Sequence, residues 1–332
     1  MRRREFFGLV GGAAVAPLAA RAQQTATERL AIFSPFEPAS LMNENSENRY
    51  YRALFGELRR LGQVEGRNLT VERYGREKSV GGLPALAAEV IGARPNVVYA
   101  IGPGAQLFKQ ASDAIAVVAL TGDPVAQGLI RSLAHPGGNI TGVSVDTGPS
   151  IHGKRIVLLR EMFPKLAKLA CLTLRTQWDT GQGRDIVEAG RAVGVGVNPL
   201  LVDLPTGEAA YRDAIAQAPR EAVNAFMVGD NPDTMANRSV IANLIAAAAM
   251  PAIYPFQEFV EAGGLMAYSF DLVELNKRAA NNIDAILRGA NPGDIPFYQA
   301  SKFELSLNLK TAKALGLAVP ETLLASADKV IE

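Results

Sequence analysis

The sequence predicts an α/β chain of two lobes, each built on a parallel sheet flanked by helices. Three observations predict it. Short β-branched apolar runs alternate with longer segments of helical spacing; that series starts twice along the chain; and turn-rich segments stand where the two halves would exchange chain. At 332 residues with 48% hydrophobic composition, two cores are expected rather than one.

In the first series the runs 30–34, 69–74, 96–101, 116–121 and 140–145 are predicted strands. Between them, 45–61 and 83–93 are predicted helices. In the first of these, Tyr51, Leu54, Phe55, Leu58 and Leu61 recur at three and four residues and form one apolar face. The second series has predicted strands at 169–174, 197–204, 222–228 and 252–255, and helices at 184–193, 208–216 and 234–249. Turn formers at 146–153, 254–258 and 289–296 are the predicted crossings of a three-strand hinge between two Rossmann-like lobes. The lobes are then 28–147 with 257–291, and 148–256 with 292–332.

The N-terminus carries Arg2, Arg3 and Arg4, then an uncharged stretch from Gly8 to Ala20 that is too short to span a bilayer, then Ala20-Arg21-Ala22. This order predicts an export leader over 1–22, cut after Ala22, and delivery to the periplasm. Arg3-Arg4-Glu5-Phe6-Phe7 gives it a twin-arginine character, the general route being the alternative. The chain has 34 Lys and Arg against 33 Asp and Glu, and losing the leader makes it slightly acidic, so nucleic acid is not an expected partner. Cys171 is the only cysteine. No internal disulfide is available, and a monomer is expected.

Catalytic chemistry finds little support. His135 and His152 are the only histidines; both stand in turn-rich sequence, neither at metal-ligand spacing, and solvated turn positions are expected. Neither a metal nor a cofactor is predicted. Cys171, inside Leu-Ala-Cys-Leu-Thr-Leu, reads as a buried structural thiol. Gly102-Pro103-Gly104 follows a strand and opens a helix, but Leu107 stands where a dinucleotide fingerprint needs its third glycine. An exported cofactor-dependent α/β enzyme stays as an alternative on that motif alone.

In open parallel sheets ligands bind beyond the carboxyl ends of the strands. Applied here, that rule selects Ser34, Phe36, Gly102, Pro103 and Asp123 from the first lobe. It selects Arg175, Trp178, Asp230 and Tyr254 from the second, and Tyr268 and Asp271 from the strand expected to return to the first. Phe36, Trp178, Tyr254, Tyr268 and Phe270 would sandwich a flat apolar group, while Arg175 and Asp230 would pair with a carboxylate and an ammonium. Each has a plainer structural alternative: core packing for the rings, a solvated charge for Arg175, a helix cap for Asp123.

The chain resembles the ABC-transporter substrate-binding proteins of the tryptophan- and tyrosine-binding type. The resemblance runs through Leu61-Gly62 with Glu65-Gly66-Arg67-Asn68, Gly122-Asp123-Pro124-Val125, Gly128-Leu129-Ile130, Pro136-Gly137-Gly138-Asn139-Ile140-Thr141-Gly142, Ala262-Gly263-Gly264-Leu265 and Lys302-Phe303-Glu304-Leu305. It implies a type I periplasmic-binding fold, no catalysis, a small molecule such as an aromatic or other apolar amino acid or aromatic carboxylate held between lobes, and an ABC permease as partner. A periplasmic sensor subunit would share that outline. Two departures stand out: Tyr268-Ser269-Phe270-Asp271 replaces the family's Tyr-Gly-Pro-Asp and adds a ring near the expected site, and His135 replaces an Arg.

Overall fold

The computed structural model describes residues 27–145, 150–204 and 206–332; the predicted leader, 1–22, lies outside the described residues. In chain order the first half runs β1 (Glu28–Phe33), α1 (Arg49–Arg60), β2 (Leu69–Tyr74), α2 (Leu83–Ala93), β3 (Val97–Ile101), α3 (Gly104–Ala111), β4 (Ala116–Thr121) and β5 (Ile140–Ser144). The second runs α4 (Ser150–Met162), β6 (Lys168–Leu174), a single turn α5 (Arg175–Gln177), α6 (Gly183–Ala192), β7 (Gly196–Val202), α7 (Glu208–Ile215) and β8 (Ala225–Val228). It continues through α8 (Pro232–Ala236), α9 (Arg238–Ala247), β9 (Ala252–Tyr254), α10 (Gln257–Glu261) and β10 (Met266–Phe270). The chain closes with α11 (Leu272–Leu287), β11 (Tyr298–Gln299), β12 (Phe303–Asn308), α12 (Leu309–Ala314), α13 (Glu321–Ser326) and β13 (Lys329–Ile331).

These strands form two sheets, ordered β11-β5-β4-β3-β1-β2 and β13-β12-β10-β9-β8-β6-β7. Every pairing is parallel except β10 with β12. The alternation of side chains along parallel strands gives each sheet two buried faces. In the first sheet Leu30, Ile32, Val97, Tyr99 and Val118 meet α1 and α11 through Leu54, Phe55, Leu58, Leu275, Ala279 and Ile283. Their neighbours Ala31, Phe33, Val98, Ala100 and Val117 meet α2 and α3 through Leu86, Val90 and Phe108. Cys171 is fully buried against Ile156, Leu159 and Ile186, and burial pushes its thiol up to about 12, with Asp230 adding to the rise. It is a structural thiol, as the sequence implies.

The chain passes between the sheets three times. The first passage follows β5 and leads into α4, within the predicted 146–153, of which 146–149 lie outside the described residues. The other two differ from the prediction. Residues 257–270, assigned to the first lobe, hold α10 and β10, and β10 pairs with β9 and β12 in the second sheet; the passage comes at Asp271. Residues 292–299, assigned to the second lobe, belong to the first, where β11 pairs with β5. The turn formers at 254–258 and 289–296 are ordinary connections within a lobe, which composition alone does not distinguish from a passage between lobes. The second and third passages run side by side: the Asp271 amide donates to Lys302 O at 3.0 Å, and Lys302 Nζ meets Asp271 Oδ2 at 2.8 Å.

Gly142 shows how tightly the first sheet is assembled, since a Cβ there would lie 2.0 Å from Ala119 O on β4. Gly142→Ala is expected to cost about 3 kcal/mol and lower the thermal midpoint by about 4–5 °C. By contrast, Gly56 in α1 is exposed with open space around it, so Gly56→Ala should stabilise by about 0.5–1 kcal/mol. Calorimetry of the two variants should move the midpoint in opposite directions.

Candidate functional site

Between the lobes lies a cleft of about 930 Å³ lined by residues of both. From the first lobe come the segments that follow β1, β3 and β4, together with the start of α1. Gly102 leaves β3 at φ +67°, and a Cβ there would strike the Phe36 ring at 2.7 Å, so glycine is what lets that ring lie across the strand end. Asn48 caps α1 by accepting from the Tyr50 amide at 2.8 Å, which presents Arg49, Tyr50 and Tyr51 to the cleft. With its other side-chain atom, Nδ2, Asn48 donates to Glu37 Oε1 at 2.8 Å. Tyr51 is buried, with its hydroxyl beside Glu37 and Ser34.

The second lobe contributes a connected polar floor. Arg155, on α4, is fully buried; its Nη1 donates to Asp230 Oδ2 at 3.2 Å and its Nε to Tyr268 O at 2.9 Å. Gln182 Nε2 donates to Asp230 Oδ1 at 3.0 Å, Gln177 Nε2 to Asp230 O at 3.2 Å, and Asn231 Nδ2 to Gln177 Oε1 at 2.9 Å. Asn231 also caps α8 through the Thr234 amide. Burial works to raise the Asp230 carboxyl, but the charges of Arg155 and His152 and the hydrogen bond from Arg155 outweigh it and hold the group below the usual carboxylate range. Asp230 is therefore an anion already matched by Arg155.

Rings line both walls: Phe36, Tyr50, Tyr51 and Tyr99 from the first lobe, Phe256 and Phe270 from the second. Phe256 and Phe270 meet edge to face at 5.6 Å, so the ring that distinguishes this chain's Tyr-Ser-Phe-Asp run does border the cleft. At one end Arg49 spans the two lobes, 3.2 Å from Glu258 and 3.4 Å from Glu304.

Of the residues selected from the sequence, Ser34, Phe36, Gly102, Asp123 and Asp230 line this cleft. Asp123 also caps the turn after it, accepting from the Val125 and Ala126 amides at 2.9 Å. The other six do not line it. Pro103 precedes α3; Arg175 is an exposed partner of Asp203; and Trp178 packs under Gly183 and the second-lobe core. Tyr254 is buried against Phe259, with centroids 5.1 Å apart, and Tyr268 stacks on Phe303 at 5.5 Å. Asp271 caps α11 through the Glu274 amide and pairs with Lys302.

His152 corrects the expectation of a solvated turn histidine: it is buried on α4 and borders the cleft. Arg155 went unread because its helix is apolar on several sides, through Ile151, Ile156, Leu158, Leu159 and Met162, and so shows no one-sided stripe. Glu37, Tyr50 and Arg238 lie beyond strand ends or at helix starts that the strand-end rule does not reach.

Because Asp230 neutralises a buried guanidinium, Asp230→Asn should destabilise the protein by about 3 kcal/mol near neutral pH. A carboxyl held low in the folded state gives stability that is present above its unfolded value and lost as pH falls through the folded one. In urea titrations the gap between wild type and Asp230→Asn should thus be constant above about pH 5 and shrink below about pH 4. A gap that stayed constant into acid would remove the Arg155 pairing.

Residues 40–331 match the family described as ABC transporter substrate binding protein. A tyrosine-binding protein of Clostridioides difficile (strain R20291) is 23% identical over 275 residues, covering 77% of this chain and 73% of that protein. Among solved structures, a conserved domain protein from Vibrio cholerae superposes with a TM-score of 0.80 at 21% identity, covering 92% of this chain and 99% of its own. An ABC domain in complex with L-Trp from Streptococcus pneumonia gives 0.79 at 20% identity, covering 92% and 100%. These likenesses agree with the two-lobed type I periplasmic-binding fold described above. With the family match spanning nearly the whole described chain, the protein belongs to the ABC transporter substrate-binding protein family.

Proposed function

We propose that this chain is the exported solute receptor of an ABC importer and that it holds an aromatic or other apolar amino acid, or an aromatic carboxylate, between its lobes. The observation that carries this reading is the set of six rings, four from one lobe and two from the other, around a single cleft. Flat apolar ligands gain both buried area and ring contacts in such a slot. The relatives named for tyrosine and for L-Trp support the same class.

The mechanism we infer is hinge closure across the three passages. A ligand that touches both walls binds the closed arrangement better than the open one, and moving the balance from mostly open to mostly closed takes a difference of about 5.5 kcal/mol. Micromolar binding is worth about 8 kcal/mol, so the requirement can be met. The closed surface would then dock on an inner-membrane permease. A binding role without catalysis is supported by the chemistry of the cleft, where Asp230 is committed to Arg155, while the thiol of Cys171 lies away from it, buried in the second-lobe core. The leader at 1–22 is the basis for placing the mature protein in the periplasm.

A thermal-shift panel on the chain from Gln23 onward tests the ligand class. At 100 times its dissociation constant a ligand adds about 2.7 kcal/mol, or about 4 °C for a protein of this size. L-tyrosine, L-tryptophan or a related aromatic acid should produce such a shift. A panel in which sugars or polyols shift the midpoint and aromatic compounds do not would contradict the proposal.

A further inference from the structure

A second pocket, of about 330 Å³, opens on the flank of the second lobe. Ala242, Ile245 and Ala246 of α9, Leu265, and Ala314 and Leu315 at the end of α12 give it aliphatic walls. It shares no lining residue with the interlobe cleft. Ala252 opens β9 and Leu265 immediately precedes β10, so the pocket sits at the amino ends of these strands, whereas the cleft gathers carboxyl ends. Helix α12 is pinned over this end of the sheet: Thr311 Oγ1 donates to Gly263 O at 2.9 Å, and Asn308 Nδ2 to Val260 O at 3.2 Å.

Within these walls two polar groups are uncommitted. Tyr254 lines the pocket and is only 1% exposed, yet its hydroxyl meets no hydrogen-bond partner among the described residues. Burial raises that phenol above its ordinary range, so it stays a neutral donor. A buried hydroxyl left without an acceptor costs free energy that an incoming acceptor recovers. Lys310 is the only charged lining residue among the described residues; it is exposed and forms no ion pair with any of them. The hydroxyl of Thr311, the third polar side chain of the lining, is taken by Gly263.

We propose that this pocket is a second small-molecule site, for an aliphatic monocarboxylate of about six carbons, a size that suits a volume at the low end of ligand sites. The carboxylate accepts from the Tyr254 hydroxyl and faces the Lys310 ammonium, and the chain lies against α9. An alcohol of the same length gives up the ionic half of this recognition, and an amine sets two cations together. Flat rings fit less well. Tyr254 supplies the only ring of the lining among the described residues, and Phe259 already stacks on it at 5.1 Å. The two sites therefore take different chemistry, flat apolar groups in the cleft and an aliphatic acid here.

Methionine methyl groups report the two sites separately, since Met250 lines the pocket and Met235 the cleft. In the chain from Gln23 onward labelled with ¹³C-methyl methionine, hexanoate should move the Met250 resonance to saturation and leave Met235 in place. Hexan-1-ol and hexylamine should bind about 10-fold more weakly, or less tightly still. Tyr254→Phe removes only an unpartnered hydroxyl, so it should weaken hexanoate about 10-fold without lowering the thermal midpoint. Lys310→Met, at an exposed position, should cut the preference over hexan-1-ol several-fold. Hexanoate that moves Met235 and not Met250 binds in the cleft and overturns the second site, as does hexanoate that moves neither. Equal affinity for hexanoate and hexan-1-ol overturns the carboxylate, and equal hexanoate affinity for wild type and both variants overturns the roles of Tyr254 and Lys310.

Discussion

Parallel strand pairing, with its helical crossovers, is the constraint on which the geometry of this protein depends. Parallel neighbours must each be fed from the same end, so their outgoing loops gather along one edge of the sheet. In the first sheet that edge collects the chain after Phe33, Ile101 and Thr121, and in the second the chain after Leu174 and Val228. The passages between the sheets turn these two edges toward each other. A cleft with loops on both walls follows from that topology before any side chain is chosen.

The two walls are then built differently. The second-lobe wall is a hydrogen-bonded network in which buried Arg155 joins α4, the segment after β8 and the backbone of β10, and both carboxylate oxygens of Asp230 accept hydrogen bonds. Such a floor fixes Asn231 and Gln177 at the same time. The first-lobe wall is held by lighter means: a glycine that admits the Phe36 ring, and one asparagine that caps α1 and holds Glu37. Arg49 reaches across to Glu258 and Glu304, so the two walls also share a direct electrostatic contact.

Most of the sheets were legible in the sequence, because strand-length apolar runs and one-sided helical stripes are local signals. Strands β1 to β9 and helices α1, α2, α6, α7 and α9 lie where those signals place them, within a few residues. The lobe assignment of β10 was not legible, since its partners β9 and β12 are chosen by tertiary packing and one of them lies far downstream. The site was half legible. The strand-end rule locates loops but not the direction of a side chain, and along a strand that direction reverses at every residue. Phe270, at the very end of β10, borders the cleft, whereas Tyr268, two residues back on the same face, has its ring occupied by Phe303. Arg175 and Trp178 stand at a correct strand end, yet one turns to Asp203 and the other to the core beneath Gly183.

The central claim is that ligand is captured by closure of the two walls, and an interlobe distance measures this directly. Val125 is exposed beside the end of β4, and Asp179 is exposed beyond β6. Spin labels on Val125→Cys and Asp179→Cys avoid the native thiol, which is buried. Pulsed electron–electron resonance on this doubly labelled protein, with and without a saturating amount of a calorimetrically verified ligand, should show a broad distance distribution that shortens by several ångströms and narrows on binding. An unchanged distribution under saturation would contradict capture by closure.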